Sequence, residues 1–231
     1  MRLHLSAMPL LTVAVLLVSS CADKYNIIGT SMQSIYDGKM VYLSHLVNGK
    51  DTSVDSCEIV HGQFSMSGGI DSVMCVTLDM GDFHLPIVLE GGEIKVSSAN
   101  QSIKVEGTPL NDRLYAFLTS RDSLIMLLTE LPRRESQMIL EGYEHDDILR
   151  ILGEEEADLR LSMDRLETDF IVSNFDNVLG VSWFMELCNA TYQRFGYPNT
   201  TPQIDDIYSR APEDFRNNPD VREYMKLCEG K

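Results

Sequence analysis

The hydrophobic rhythm of this chain changes once, near Gly107, and that change limits what the chain can fold into. Before it, apolar residues fall in short runs rich in β-branched and aromatic side chains. These are MVYLSHL (40–46), SVMCVTLDM (72–80), FHLPIVLE (83–90), GEIKVSS (92–98) and SIKVEG (102–107). Turn-forming pairs punctuate them, among them Asp37-Gly38, Asn48-Gly49, Gly68-Gly69 and Gly91-Gly92. Short strands at short spacing, separated by such pairs, predict an antiparallel β-sandwich or barrel. Pro86 has no N–H to give to a neighbouring strand, which assigns its strand to an edge or a bulge.

From Thr108 onward the rhythm is helical. Thr108-Pro109 has the form of an N-cap followed by proline at the first helical position. Leu110, Leu114, Phe117, Leu118, Ile125 and Leu128 follow at helical spacing. Pro132 is expected to open a second segment, in which Leu149, Leu152, Leu159, Met163, Leu166 and Phe170 form one stripe ending near Ser173. The heptad spacing of Leu152, Leu159 and Leu166 fits a coiled coil, but a stripe this short more often packs onto its own domain. A third helix is predicted over residues 178–192, with Trp183, Phe184, Leu187 and Cys188 at its buried face. Thr201-Pro202 and Asn218-Pro219 repeat the cap-then-proline start for two short final helices. The predicted fold class is α+β: a β-sandwich or barrel over 21–107, then an all-helical domain over 108–231.

Residues 1–20 stand apart from both. Arg2 gives a positive start, and Leu10 to Val18 is an apolar core broken only by Thr12. This is a signal-peptide layout, too short for a permanent membrane-spanning helix. Val18-Ser19-Ser20-Cys21 resembles the bacterial lipobox, in which the cysteine thiol takes a diacylglyceryl group and becomes the first residue of the mature protein. The reading predicts lipid attachment at Cys21, fatty acyl chains such as palmitate, and a place in the cell envelope as an outer-membrane lipoprotein. Several acyl chains on one residue hold a protein on a membrane far better than one. The leader holds one basic residue and no acid, so the mature part is one unit more acidic than the full chain's −16. That balance disfavours nucleic acid and anionic headgroups as partners.

Cys57, Cys75, Cys188 and Cys228 form no C-x-x-C pair, so neither a redox dithiol nor a zinc-type pair is visible. Cys57 and Cys75 lie in neighbouring predicted strands, where a disulfide is possible in an exported chain. The apolar neighbours Met74 and Val76 suit a buried free thiol equally well. His84, between apolar residues, reads as a packed or rim histidine rather than a ligand. Glu141 and His145 share a helical spacing, but Leu149 follows them on that face, so no metal set is expected. Asp55 and Glu58 could pair as carboxylates, though Asp55 suits a structural turn better.

The stretch MVYLSHLVNGKDTSVDSCEIVHGQFSMSG (40–68) resembles the family of Bacteroidetes envelope lipoproteins described as DUF4369. Asp55-Ser56, Gly62-Gln63-Phe64 and Gly68 carry the likeness. IVLEGGEIKV (87–96) resembles its following turn, VEGTPLNDRLYAF (105–117) its junction into helices, and FDNVLGVSWF (175–184) its later helix. In many relatives this region precedes a thioredoxin-like domain carrying Cys-x-x-Cys. The chain shows no such motif, so the family's redox activity is not carried over. Asp71-Ser72-Val73 and Asp122-Ser123-Leu124 resemble the O-glycosylation triplet of Bacteroidetes exported proteins, which makes Ser72 and Ser123 candidate acceptors. The expected function is therefore a non-enzymatic, lipid-anchored envelope protein that binds or scaffolds, with an envelope protein or small ligand as partner. The alternative is an accessory component of an envelope thiol–disulfide system, lacking its own catalytic domain. No catalytic, cofactor or metal residue is assigned.

Overall fold

A computed structural model describes residues 23–30, 34–47, 50–81, 83–99 and 102–230. The leader and Cys21 lie outside the described residues.

Eight strands come first: β1 (Asp23–Thr30), β2 (Met40–Val47), β3 (Lys50–Glu58), β4 (Phe64–Ile70), β5 (Met74–Asp79), β6 (His84–Leu89), β7 (Gly92–Ala99) and β8 (Ser102–Glu106). Six helices follow: α1 (Pro109–Leu140), α2 (His145–Val172), α3 (Val178–Phe195), α4 (Pro202–Arg210), α5 (Glu213–Asn217) and α6 (Pro219–Cys228). The strands form two four-stranded sheets, ordered β4-β1-β7-β8 and β3-β2-β5-β6. All pairings are antiparallel except β1 with β7, which run parallel. Pro86 lies in β6, an edge strand, where its missing N–H breaks no ladder.

The two sheets bury their facing sides against each other. Tyr25, Ile27, Phe64, Met66, Ile94 and Val96 of the first sheet meet Val41, Leu43, Val76, Leu78, Ile87 and Leu89 of the second. Successive strand residues point to opposite faces, so this alternation leaves Cys75 and Val88 on the outer face of the second sheet. There the helices cover them.

The Gly-x-Phe-x-x-x-Gly pattern becomes intelligible in this setting. Phe64 pairs with Gly29, and a Cβ on Gly29 would lie 1.9 Å from the Phe64 ring. Gly68 pairs with Tyr25 and leaves room for its ring in the same way. The Tyr25 hydroxyl then donates to Asp55 Oδ2 at 2.9 Å, tying the first sheet to β3. Asp55 is thus a strand residue and not part of a turn. It sits beside a β-bulge, where Leu43 opposes Asp55 but Ser44 opposes Ser53.

In the helical part, Pro132 opens no new helix. α1 runs straight through it for 32 residues. A proline inside a helix costs about 3 kcal/mol, which packing of the flanking turns against α2 offsets. Leu131 is buried beside it, and Arg134 pairs with Glu155. The chain breaks instead at Gly142, whose φ of +83° suits glycine. Arg121–Glu167 and Arg134–Glu155 show that α1 and α2 lie antiparallel. α3 to α6 close around a second core of Phe184, Cys188, Ile204, Ile207, Phe215 and Val221. Close approach at the α2–α3 turn requires Gly180, because a Cβ there would lie 2.2 Å from the Asn174 carbonyl oxygen.

Sandwich and helices are joined at the start of α1. Asn111 is fully buried. Its amide nitrogen donates to the Val88 carbonyl at 2.7 Å and to Thr108 Oγ1 at 2.8 Å, and its amide oxygen accepts from Val88 N at 2.9 Å. Glu90 Oε1 accepts from the backbone N–H groups of Leu110 and Asn111 at 2.8 and 3.2 Å. A carboxylate at a helix N-terminus satisfies orphan donors and meets the positive end of the helix dipole. Replacing Asn111 with Leu is expected to lower unfolding free energy by about 2–4 kcal/mol, because both backbone groups of Val88 lose their partner. Urea unfolding checks this, and a loss below about 1 kcal/mol would show that the joint is dispensable.

Candidate functional site: a cleft between the sheet and the helices

The outer face of the second sheet and the first three helices do not close completely. Between them lies a cavity of about 550 Å³, walled by Cys75 and Ile87 from the sheet, Leu114 and Leu118 from α1, and Leu179 and Trp183 from α3, among others. Phe117 and Phe170 stack with ring centres 3.9 Å apart. Trp183 stands edge-on to Phe117 at 4.6 Å. The aromatic cluster holds α1, α2 and α3 in fixed relation where the cleft begins.

The polar groups of the wall are few. Arg121 Nε donates to Glu167 Oε1 at 2.9 Å, and the guanidinium carbon lies 5.3 Å from the Trp183 ring centre. The Glu167 side chain is 8% exposed against 32% for Arg121, so the carboxylate is the deeper partner. Removing one member of such a pair leaves an uncompensated charge in a poorly solvated place. Trp183 Nε1 is buried and has no hydrogen-bond partner among the described residues. Ser182 and Glu186 complete the polar wall.

Of the residues singled out in the sequence for possible chemistry, the cleft gathers one, Cys75. Its Sγ lies 4.0 Å from the Val178 carbonyl oxygen. Burial pushes its thiol up, and a hydrogen bond with Ser182 pulls it part of the way back. Cys57 is half-buried against the sandwich core, on the opposite face of the same sheet, with β2 between its strand and that of Cys75. The pairing considered for them is not formed, and all four described cysteines are free thiols. Cys57 lies opposite Val41, whereas Thr77 lies opposite Ser44 with Cys75 two residues beyond it. Cys57 and Cys75 are therefore offset along the strands as well as by two strand spacings of about 9–10 Å, beyond the roughly 7 Å limit for a disulfide between Cα atoms.

The remaining thiols are shifted the same way. Burial raises Cys57, offset in part by a backbone hydrogen bond from Ser65. Burial pushes Cys188 up to about 12. Burial also raises Cys228, against a hydrogen bond with Tyr224.

The other sequence candidates are scattered. Ser72 lies in an exposed bend between β4 and β5. Ser123 is on α1, where its hydroxyl donates to the Thr119 carbonyl at 2.9 Å. His84 is an exposed edge-strand residue 3.3 Å from Asp79. Asp55 and Glu58 point to opposite faces of β3, as residues three apart on a strand must. Glu141 ends α1 and His145 begins α2, so the helical spacing expected for them is not realised. Among the described residues no group of three or more metal-type side chains converges.

Arg121, Glu167 and the buried Trp183 N–H escaped the sequence reading. The ion pair spans 46 positions, and its register follows only once the α1–α2 turn is placed at Gly142 rather than Pro132. That Trp183 is the single tryptophan of the chain was the one available signal.

The described fold is thus a two-sheet sandwich capped on one face by helices, with a cleft where the layers meet. Residues 25–114 match the family model described as a domain of unknown function, DUF4369. The match starts in β1 and stops at Leu114, so it takes in the sandwich and the Glu90–Asn111 joint. The later helices, including the likeness seen at residues 175–184, lie beyond it. No curated protein and no solved structure matches the chain.

A buried thiol with a raised pKa makes stability pH-dependent. The unfolded chain releases the Cys188 proton near 9 and the folded chain near 12. The stability this group confers is therefore full below pH 9 and is lost as pH rises toward 12. Above pH 9 the wild-type chain should lose up to about 1.4 kcal/mol per pH unit more than Cys188→Ala. Urea unfolding at pH 8 and pH 10.5 measures the two slopes, and equal slopes would contradict the burial of this thiol.

Proposed function

We propose that this chain is a lipid-anchored cell-envelope protein that binds a ligand or partner through the cleft and performs no chemistry of its own. The observation that supports this most is the character of the cleft. It is concave, mostly apolar and furnished with a few fixed polar groups at the meeting of two layers, as small-molecule sites commonly are. Its one thiol, Cys75, is shifted away from the thiolate that exchange or nucleophilic chemistry needs. The envelope location and the anchor rest on Val18-Ser19-Ser20-Cys21 and the apolar run before it. Among the described residues no helix is long and apolar enough to cross a membrane. In the alternative role, as accessory to an envelope thiol–disulfide system, a separate oxidoreductase would supply the reactive thiols.

Two measurements test the reading. Cys21→Ala should leave unprocessed precursor and abolish labelling by radioactive fatty acid, and undiminished labelling would remove the anchor from the account. In an insulin-reduction assay with dithiothreitol the wild-type chain should match the protein-free blank. Turnover well above the blank, lost in a Cys57→Ser, Cys75→Ser double variant, would make the protein a redox catalyst.

A further inference from the structure

We infer that the cleft takes an uncharged, largely apolar small molecule that presents a carbonyl oxygen to Arg121 and to the indole N–H of Trp183. This rests on the binding reading above and names the class of ligand.

Three features of the wall carry the inference. Its apolar surface comes from Leu114, Leu118, Phe170, Leu179, Trp183 and Leu187, so the body of the occupant is apolar. Its volume of about 550 Å³ suits a molecule of moderate size. Two of its polar groups, both donors, have hydrogen bonds left to make, whereas the exposed Glu186 carboxylate can meet water instead. Among the described residues Trp183 Nε1 is buried without an acceptor, and the Arg121 guanidinium is engaged through Nε alone, with Glu167. A covered donor without a partner has lost its water and gained nothing in return. A carbonyl oxygen supplies what is missing. The indole N–H is covered in this structure, so the proposed contact requires the Trp183 side chain, which lines the cleft, to turn its N–H toward the ligand.

The charges select against ions of either sign. The Arg121 charge is already matched by Glu167 at 2.9 Å, and Glu186 adds a second carboxylate to the wall. An anion would therefore meet two carboxylates against one guanidinium. A cation would meet Arg121 lying over the ring of Trp183, while Phe117 and Phe170 cover each other's faces. Glu186 is exposed, so water screens its pull on an ammonium group, which would still give up its own hydration on entering an apolar cleft. A neutral molecule carries none of these costs.

The test uses Prodan, a neutral apolar naphthyl ketone, titrated without detergent into the full chain carrying Cys21→Ala. Saturable binding with blue-shifted Prodan emission is expected, together with quenching of Trp183, the chain's single tryptophan. The anionic dye 1-anilinonaphthalene-8-sulfonate should bind at least tenfold more weakly. Trp183→Phe keeps an aromatic ring and removes the N–H, and it should weaken Prodan about five- to tenfold. Arg121→Lys keeps the charge opposite Glu167 and removes the free guanidinium donors. It should weaken Prodan similarly, and it decides the matter if circular dichroism shows Trp183→Phe to be unfolded. Equal or tighter binding of the anion, or Prodan binding unchanged in the folded variants, would overturn the ligand class and leave the cleft as a binding site. Absence of saturable binding of either dye to the parent chain would overturn both.

Discussion

The structure depends on how one buried asparagine meets one strand. Asn111 satisfies both backbone groups of Val88 on the side of β6 that no other strand covers, and Glu90, two residues further on, caps the helix that carries Asn111. Each half supplies what the other lacks. An edge strand has unpaired N–H and C=O groups, and a helix start has unpaired N–H groups. Uniting them settles where α1 leaves the sandwich and therefore where α2 and α3 can pack. The cleft exists because the helices, launched from that point, cover the outer face of the second sheet incompletely. Gly107 and Gly92 serve the same junction. At Gly107 a Cβ would lie 2.5 Å from the Glu93 carbonyl oxygen, and at Gly92 a Cβ would press on Thr108 Cγ2 at 3.1 Å.

The likeness to DUF4369 thus falls on residues with structural duties. Phe64, Gly68, Tyr25 and Asp55 bind the two sheets together, and Glu90, Thr108 and Asn111 mount the helices. None of these seven lines the cleft. The cleft's polar wall, from Arg121 and Glu167 to Ser182, Trp183 and Glu186, lies beyond the matched segment. In this chain the matched part builds a platform, and the helices that follow it supply most of the candidate site's chemistry.

What the sequence disclosed follows from the range of the interactions involved. The change of period at Gly107, the edge placement of Pro86, and the caps at Thr201 and Asn218 depend on neighbours a few residues away, and each is realised. Thr108 shows where local reasoning ends. It occupies the cap position with extended backbone, but its hydroxyl accepts from Asn111 while Glu90, 20 residues before Leu110, meets the helix N–H groups. Pro132 misled for the same reason, since its local cost is outweighed by packing against a helix whose position is not written nearby. The Arg121–Glu167 pair and the orphan indole of Trp183 arise only after three helices and a sheet have met.

The central claim is that sandwich and helices form one cooperative unit through the joint at Asn111. Native-state hydrogen exchange on the amides of Val88, Leu110 and Asn111 tests it most directly, because those N–H groups make the bonds in question. The account predicts that all three exchange only on global unfolding, at the rate of core amides such as Ile27 in β1. Exchange of the three at much lower free energy, with the β1 amides still protected, would show that the helices detach on their own and would contradict it.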